Sequence, residues 1–401
     1  MKVAVIGAGV VGMIAAHYLC KAGHDVSVID REDGPARKTS KANGAQLSYS
    51  YTDAMASPGL IAKLPGILLG KDRAFRISPS SDPAFLLWGV QFLRNCTPGR
   101  SVANTLSLQR TALESAKLME EFGGQMSSSV QHRKAGKLVL LPSMPDGRAR
   151  SILRQKSELG CDVRIIDPED IFAIEPVIRD WNLDVQAAVY SSMDDVGDPY
   201  FFAEQLCQKL EANGVRFHWG EAVKKIVTGG KCVEGIETES MSQNFDAVIV
   251  CTGRDDAGIL KPFSIRLPIL PIAGYSITLP STRQSPNVSV TAQAEKIVMC
   301  KLGESVRIAG FADINTAPST HDSRIRELIQ CAKNIAPQSA DFLEDNVKAW
   351  MGYRPVTPNS LPICSATKIV GLYLNMGHGM LGWTLSAATG SLITTMLGTQ
   401  V

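Results

Sequence analysis

The sequence predicts an α/β protein in which a parallel sheet, assembled from distant parts of the chain, is combined with a second domain built on an antiparallel sheet. Three observations carry this prediction. An apolar strand at residues 3–6 leads into a glycine-rich turn and a helix. A second fully apolar strand, at residues 246–253, ends in small residues some 200 positions later. Between residues 267 and 309, four segments are rich in β-branched residues, which is typical of an antiparallel sheet.

The first strand, turn and helix predict a dinucleotide site. The turn at residues 7–12 has glycine at its first, third and sixth positions, and the helix at 11–21 directs its positive end toward an anion near the turn. The next strand, at 25–29, ends on Asp30, whose carboxylate can accept a hydrogen bond from a ribose hydroxyl. A tight strand-to-helix turn without a ligand is the alternative.

The segment after Asp30 is polar and rich in glycine and serine to about residue 60, as expected of a loop that lines a ligand. Residues 83–93 are apolar but too few to cross a bilayer, and they predict a buried helix. Helical spacing at 104–123 predicts a helix whose core stripe is Leu106, Leu113, Ala116, Leu118 and Met119.

The remaining elements follow from caps and periodicity. We expect a strand at 136–141, a helix that begins at the N-cap Asp167, a helix at 199–213 and a strand at 215–219. The strand at 246–253 resembles a further strand of the nucleotide sheet. Because nicotinamide dehydrogenases usually keep these repeats contiguous, the split favours FAD over NAD by architectural analogy. The β-branched segments are 267–279, 288–291, 296–300 and 305–309, and further helices are expected at 324–335 and 384–397.

Composition excludes several classes of protein. The 401 residues include 41 Lys and Arg and 39 Asp and Glu, for a net charge of +2, and there is no basic tract that would indicate nucleic-acid binding. The nine cysteines are scattered without a CxxC pair, which favours a reduced, cytoplasmic protein without a metal site. No apolar run is long enough to span a membrane, and peripheral contact with the inner face of the cytoplasmic membrane stays open.

Three residues and one glycine-rich segment stand out as candidates for chemistry. Arg354, between a tyrosine and a proline, can bind a carboxylate as a fork or form a structural ion pair. Tyr275 can close over a substrate or belong to the core, and His378 can simply cap backbone carbonyls. Three glycines in residues 376–384 precede the last helix, and this arrangement suits the anionic edge of a reduced flavin or a packed turn.

Taken together, these motifs resemble the FAD-dependent amine oxidoreductases of the D-amino-acid oxidase superfamily, and most of all its bacterial D-amino-acid dehydrogenase branch. The resemblance spans nearly the whole chain, and the motif at 377–384 is its most specific part. It implies a D-amino-acid oxidase type of fold, with a discontinuous FAD-binding domain at 1–80, 195–260 and 345–401. The substrate-binding domain would comprise 81–194 and 261–344.

The resemblance also implies site residues. Arg354 would bind the substrate carboxylate, with Tyr275, Tyr51 and His378 as the other catalytic candidates. Non-covalent FAD would be bound by Gly7, Gly9, Val10, Val11, Gly12, Asp30, Arg31, Thr39, Ser40, Asn43, Gly44, Ala45, Gln46, Leu47, Val223, Cys251, Thr252, Gly253, Gly352, Gly379, Met380, Leu381, Gly382, Trp383 and Thr384.

The reaction that the resemblance implies is hydride transfer from Cα of a D-amino acid to flavin N5, after which the imine hydrolyses to a 2-oxo acid. Electrons would pass to a quinone or another acceptor. The sequence departs from the dehydrogenase pattern at Asn43-Gly44-Ala45, where the order Asn-Ala-Gly is usual. Two alternatives remain: an imino-acid dehydrogenase or glycine or sarcosine oxidase, and an electron-relay subunit of a hetero-oligomer. The sequence leaves the oligomeric state open.

Overall fold

The strands of the protein were located in a computed structural model that describes residues 1–123, 131–254 and 258–398. In chain order they are β1 (Lys2–Ile6), β2 (Asp25–Asp30), β3 (Gln46–Leu47), β4 (Phe75–Ile77), β5 (Lys137–Leu141), β6 (Val163–Ile166), β7 (Ala187–Ser191), β8 (Asp195–Val196), β9 (Arg216–Trp219), β10 (Lys225–Gly229), β11 (Cys232–Glu237), β12 (Ser242–Asn244), β13 (Ala247–Val250), β14 (Leu270–Pro280), β15 (Ser289–Ala292), β16 (Ile297–Leu302), β17 (Ser305–Ile314), β18 (Lys348–Val356), β19 (Ile363–Ala366) and β20 (Leu372–Met376).

The α-helices begin with capping patterns that the sequence contains. Proline occupies the first turn of several, and Asp82, Asp146, Asp167 and Asp198 each accept a hydrogen bond from a first-turn amide. The helices are α1 (Val10–Lys21), α2 (Pro58–Leu68), α3 (Pro83–Asn95), α4 (Pro98–Met119), α5 (Gly147–Glu158), α6 (Pro168–Ile174), α7 (Pro199–Ala212), α8 (His321–Ile335) and α9 (Gly382–Gly398).

The first sheet has six strands in the order β19-β20-β13-β1-β2-β9, all parallel except β19. Its strand β13 pairs with β1 although more than 200 residues separate them, as the sequence predicts. Helices α1, α7 and α9 cover one face through a shared apolar core. The small sheet β10-β11-β12 contributes to the core on the other face. Because the carboxyl ends of the parallel strands share one edge, the turns after β1, β2 and β13 converge there.

The second sheet has nine strands and is mostly antiparallel. Its main path is β18-β14-β17-β16-β15-β5-β7-β6, with β4 paired to β17. Helix α8 packs on it through Leu328, Ala332 and Ile335. Strand β18 belongs to this sheet although the predicted domain boundaries place residues 345–401 with the cofactor domain. The boundaries themselves stay a prediction.

Two sequence predictions about helix faces need correction. The predicted core stripe of α4 is confirmed only in part: Met119 is buried, and Leu113, Ala116 and Leu118 are partly buried against core clusters. The fully buried residues Leu108, Gln109 and Ala112 lie outside the predicted stripe. Helix α3 is not buried: only Trp88 and Phe92 are, and four of its large apolar side chains are exposed. Apolar content does not reveal burial by itself, because a helix at the surface of the fold can carry an apolar outer face.

Candidate active site

The two sheets enclose one elongated cavity of about 370 Å³, a volume within the range of small-molecule sites. One end lies at the turns after β1, β2 and β13. The other end lies against β14 and β18, where Tyr275 and Arg354 line it. The cavity therefore joins the predicted nucleotide end to the predicted substrate end.

The turn after β1 requires glycine at two positions. Gly7 has φ +105°, and a Cβ there would lie 2.8 Å from the Cys251 carbonyl oxygen. A Cβ on Gly12 would lie 1.9 Å from the Gly7 carbonyl oxygen. Because both contacts are with backbone, no side chain can yield, and the turn stays narrow enough for its amides to approach a ligand.

The first turn of α1 lies at the cavity, and its N-cap residue offers no side-chain acceptor for the first-turn amides. Gly9 is the N-cap and supplies no side-chain cap, and the first turn contains no acidic residue. The amide of Val10 donates to Ser40 Oγ at 3.2 Å. The following first-turn amides have no acceptor within the helix, so the helix end carries partial positive charge that suits a pyrophosphate.

Asp30 holds the turn and also lines the cavity. Its carboxylate accepts from the amides of Ala8 at 2.6 Å and Glu32 at 2.9 Å. Burial raises the pKa of this carboxyl, and the two backbone donors oppose that rise. The predicted contact with a ribose hydroxyl stays a prediction.

The loop before α9 closes the cavity from the far end of the chain. Gly377 and Gly379 have φ of +72° and +57°, and the Gly379 amide donates to the Pro355 carbonyl at 2.9 Å. His378 is buried, and its Nε2 lies 3.0 Å from Thr389 Oγ1 on α9. Burial lowers the pKa of His378 to about 4, so its imidazole is neutral and anchors the loop to the helix.

The side chain of Arg354 extends from β18 over the neighbouring strand β14 and packs against Gly274. A Cβ on Gly274 would lie 2.3 Å from Arg354 Nη2 and 2.4 Å from Cζ, so glycine leaves room for the guanidinium. Arg354 Nη1 donates to the Phe311 carbonyl at 2.7 Å. Phe311 has φ +60° at a register shift between β14 and β17, which turns this carbonyl toward the arginine. The other N–H groups of Arg354 have no hydrogen-bond partner among the described residues and are available to a carboxylate.

Tyr275 lies beside Arg354 but its hydroxyl is already engaged. It donates to Asp313 Oδ2 at 2.9 Å. Arg324 binds the same carboxylate through two hydrogen bonds, Nε to Oδ2 at 2.9 Å and Nη2 to Oδ1 at 2.8 Å. The side chains of Arg324 and Asp313 are fully buried. The aromatic ring of Tyr275 therefore forms part of the cavity wall while its hydroxyl faces this ion pair.

Three residues of the cavity lining carry buried polar side-chain atoms that have no hydrogen-bond partner within the described structure. These atoms are both side-chain amide atoms of Asn375 and the indole N–H groups of Trp350 and Trp383. Buried polar groups in folded proteins are nearly always hydrogen-bonded, so these atoms indicate a polar ligand. FAD, with its pyrophosphate, hydroxyls and ring carbonyls, offers suitable partners, and the residues present fit this cofactor.

Most predicted site residues line the cavity together. They are Gly7, Gly9, Val10, Val11, Asp30, Arg31, Thr39, Ser40, Asn43, Gly44, Val223, Cys251, Thr252, Gly253, Tyr275, Gly352, Arg354, His378, Gly379, Met380, Gly382 and Trp383. The predicted residues outside this lining are Gly12, Ala45, Gln46, Leu47, Tyr51, Leu381 and Thr384. Gly12 and Thr384 support it, since Gly12 permits the narrow turn and Thr384 Oγ1 accepts from the Ser48 amide at 3.1 Å.

Tyr51 is the predicted catalytic residue that the structure does not bring to Arg354. Its ring lies between two ammonium groups, with Lys137 Nζ at 5.3 Å and Lys156 Nζ at 5.0 Å from the ring centroid. Tyr51 is not part of the cavity lining, and the neighbouring Ser50 amide donates to the buried Asp194 at 2.7 Å. Tyr51 therefore packs in the protein as a partner of two lysines.

Sequence reasoning missed Asn375, Trp350, Phe311, Asp313 and Arg324. Asn375 had a usable signal, because it is a lone amide inside the otherwise apolar strand β20. Asp313 had a similar signal near the end of β17. Nothing local marks Arg324 or Phe311, whose roles depend on contacts with other strands.

A split nucleotide-binding sheet that shares one cavity with an antiparallel sheet defines the class of two-domain flavoprotein oxidoreductases. Comparison with known proteins gives the family: the chain belongs to the FAD dependent oxidoreductase family, which it matches over residues 2–396. It is an FAD-dependent oxidoreductase.

Curated relatives cover almost the entire chain. A D-amino acid dehydrogenase from Allorhizobium ampelinum is 33% identical over 404 residues, covering 98% of this chain and 94% of the relative. A D-amino acid dehydrogenase from Paramagnetospirillum magneticum is 34% identical over 407 residues, with 98% and 94% covered. One from Vibrio cholerae is 31% identical over 404 residues, with 99% and 95% covered.

Solved structures share the fold at lower identity. Glycine oxidase from Bacillus cereus has a TM-score of 0.72 at 17% identity, covering 100% of this chain and 95% of that protein. L-proline dehydrogenase from P. horikoshii has a TM-score of 0.75 at 18% identity, with 100% and 93% covered. At these identities the likeness concerns the fold alone.

Proposed function

We propose that this protein oxidatively deaminates D-amino acids with FAD. The observation that carries the proposal is the partly free guanidinium of Arg354, seated on Gly274 in the substrate sheet of a flavoprotein cavity. The full-length relatives are named as D-amino acid dehydrogenases, which supports the same substrate class. Roles for individual residues are part of the proposal.

In this proposal the substrate binds as a carboxylate with a neutral amine. Arg354 binds the carboxylate through its free N–H groups and fixes Cα near the ring-binding part of the cavity. FAD supplies the acceptor for the hydride that leaves Cα. Loss of hydride from the neutral amine leaves an iminium ion, whose nitrogen releases a proton to solvent water. Water then hydrolyses the imine to a 2-oxo acid and ammonia.

The cavity lining suits a mechanism without a side-chain base on Cα. Among the described residues that line it, the carboxylates are Asp30, Glu32 and Glu221, which meet at the end of β2. His378 lines the cavity but is hydrogen-bonded to Thr389. Hydride transfer requires that Cα be positioned, not that it be deprotonated. Arg354, packed against Gly274, supplies that positioning by binding the carboxylate.

Arg354→Leu tests the proposal. We expect the variant to keep its flavin spectrum and to lose at least about a hundredfold in the rate of flavin reduction by substrate, as for loss of a charge-assisted pair worth roughly 3 kcal/mol. Anaerobic bleaching with D-alanine, L-alanine, D-proline, glycine and sarcosine defines the substrate. The matched control is Arg216→Leu, which breaks an exposed pair with Asp25.

Two outcomes would contradict the proposal. The first is an Arg354→Leu variant that retains wild-type kcat/KM, which would remove this arginine from the substrate site. The second is a loaded flavoprotein that none of these amino acids reduces. Preferential bleaching by D-proline, or by glycine and sarcosine, would instead redirect the substrate assignment to imino acids or small amines.

We also propose that the protein contacts a membrane surface peripherally, where a quinone would be the final acceptor of the electrons. Helix α3 exposes 54% of Leu86, 59% of Leu87, 48% of Val90 and 45% of Leu93. Residues 58–100 contain six basic and two acidic residues. An exposed apolar face with a positive flank suits an anionic bilayer. No helix in the described ranges has the length and apolar character needed to cross a bilayer.

The membrane proposal is tested with lipid vesicles. Replacing Leu86 and Leu87 by serine should lower affinity for anionic vesicles at least about tenfold, because each leucine buried in lipid contributes about 1.5–3 kcal/mol. Flavin bleaching by substrate should be unchanged, and reduction of a vesicle-borne quinone should fall. Leu343→Ser, at a 66% exposed leucine elsewhere, is the control. Equal vesicle binding by all forms would refute the membrane contact.

A further inference from the structure

Three charged side chains meet under the substrate end of the cavity. They are Arg354, which lines it, and the fully buried pair Asp313 and Arg324. Asp313 lies on β17 two residues after Phe311, whose carbonyl holds Arg354. Asp313 is the buried carboxylate near both arginines; Arg324 also binds the half-exposed Glu327, which in turn pairs with Arg76.

The carboxylate of Asp313 acts on both arginines. Burial lowers the pKa of Arg354 to about 10, while the negative charge of Asp313 opposes that lowering. Because attraction between opposite charges is stronger in a poorly solvated site, an Asp313 carboxylate without Arg324 would compete with a substrate carboxylate for the Arg354 guanidinium. If Arg354 formed that ion pair, its free N–H groups would no longer be available to a substrate.

We propose that Arg324 is a positioning residue that occupies Asp313, so that Arg354 stays free to bind the substrate carboxylate. The inference rests on the proposed function, in which Arg354 binds that carboxylate. Because Arg324 balances the negative charge of Asp313, the positive charge of Arg354 has no counter-ion from Asp313. The substrate carboxylate then serves as the counter-ion of Arg354.

The contacts of Arg324 explain why it holds the carboxylate. Its guanidinium makes the two hydrogen bonds to Asp313 described above, and its Nη1 donates to the Arg73 carbonyl at 2.8 Å. Its Cζ lies 4.3 Å from the centroid of the Phe311 ring. The planar guanidinium of Arg324 is therefore pre-organised to bind Asp313, because it forms a bidentate pair, packs over an aromatic ring and donates to the backbone. Arg354 is held elsewhere, by Phe311 and Gly274.

The test uses the FAD-loaded enzyme. It removes the positive charge of Arg324 alone, and then together with the negative charge of Asp313. Arg324→Gln keeps a hydrogen-bond donor for Asp313 but leaves its negative charge to Arg354. We expect the Kd of this variant for acetate, measured by perturbation of the flavin spectrum, to rise at least about tenfold. Its KM for the D-amino acid should rise by the same factor, while kcat stays within about threefold of wild type. Arg324→Gln combined with Asp313→Asn should restore both values to within about threefold of wild type.

Matched variants separate this role from general damage. Glu327→Gln removes the other carboxylate bound to Arg324, and we expect a change below about twofold. Arg324→Lys keeps the charge and should stay close to wild type in acetate affinity. Acetamide, which has the shape of acetate without its charge, should lose less affinity than acetate does in Arg324→Gln, because only acetate loses a charge-assisted pair. If Arg324→Gln does not fold, Arg324→Lys and the double variant carry the comparison with wild type.

Each outcome decides the inference. Recovery of acetate binding in the double variant supports it, because a merely structural role for Arg324 would not be rescued by deleting its partner. The same loss in the single and double variants refutes it, as does unchanged acetate binding in Arg324→Gln. Where Arg324→Gln does not fold, a double variant or an Arg324→Lys variant that still lacks acetate affinity refutes it. Failure of the proposed function is seen separately, as wild-type kinetics in Arg354→Leu.

Discussion

Gly274→Ala tests the seat of Arg354 without altering the arginine. The added methyl carbon would lie 2.3 Å from Nη2, 2.4 Å from Cζ and 2.9 Å from Nε of Arg354. Carbon and nitrogen atoms in contact are normally separated by about 3.5 Å, so the guanidinium must move by more than an ångström. Gly274 is not in the left-handed region, so alanine adopts the same backbone without strain.

The expected cost follows from the hydrogen bonds that depend on this seat. A displaced guanidinium loses its geometry toward the substrate carboxylate, and hydrogen bonds to charged groups contribute about 1.5–3 kcal/mol. Substrate affinity should therefore fall about ten- to 150-fold. The loss should appear in the Kd for acetate and in the concentration dependence of anaerobic flavin reduction, while flavin content stays that of wild type.

A matched glycine serves as the control for Gly274→Ala. Gly147→Ala places a Cβ where no described atom lies within 4 Å, and we expect wild-type kinetics. A Gly274→Ala variant that retains flavin and binds acetate within about threefold of wild type would refute this role of Gly274. That result would mean that the guanidinium is mobile in the cavity, so that close packing against β14 does not determine its position.

Three further predictions concern the cofactor end and the closing loop. Gly12→Ala should purify without FAD, since its Cβ would lie 1.9 Å from the Gly7 carbonyl oxygen. The control Gly89→Ala, whose Cβ has no described atom within 4 Å, should purify with FAD bound. Asn375→Leu should lower the FAD affinity of the apoprotein about tenfold or more, measured by flavin fluorescence, and unchanged affinity would exclude its amide from the site. Burial lowers the pKa of His378 from 6.5 to about 4, so the unfolded chain binds more protons between these pH values and stability falls as the pH drops through them. The loss is about 3 kcal/mol, and urea unfolding of His378→Gln should show a smaller pH dependence than wild type.

The predictable part of this site consists of backbone motifs. The turn at residues 7–12 depends on close contacts among β1, β13 and the turn itself. The glycines that permit these contacts can be recognised from their spacing in the sequence. Asp313 and Arg324 were not predictable in this way, because their pairing depends on α8 packing against β17. Tyr51 was assigned by resemblance alone, and it lies outside the cavity lining, next to Ser50, whose amide donates to Asp194. Sequence patterns thus indicate which segments meet, whereas side-chain direction depends on polar partners contributed by distant segments.

The two ends of the cavity accept negative charge by different means, and this difference bears on the substrate. At the cofactor end, partial charges of amides at the start of α1 suit a pyrophosphate and are fixed by backbone. At the substrate end, one full charge remains after Arg324 and Asp313 neutralise each other. The side chain of Asp313 is fully buried, where its oxygens accept from Tyr275 and Arg324, so it is not exposed to a substrate ammonium group. The charge balance therefore favours an amino acid in its anionic form, with a neutral amine whose lone pair can form the C=N bond as hydride leaves.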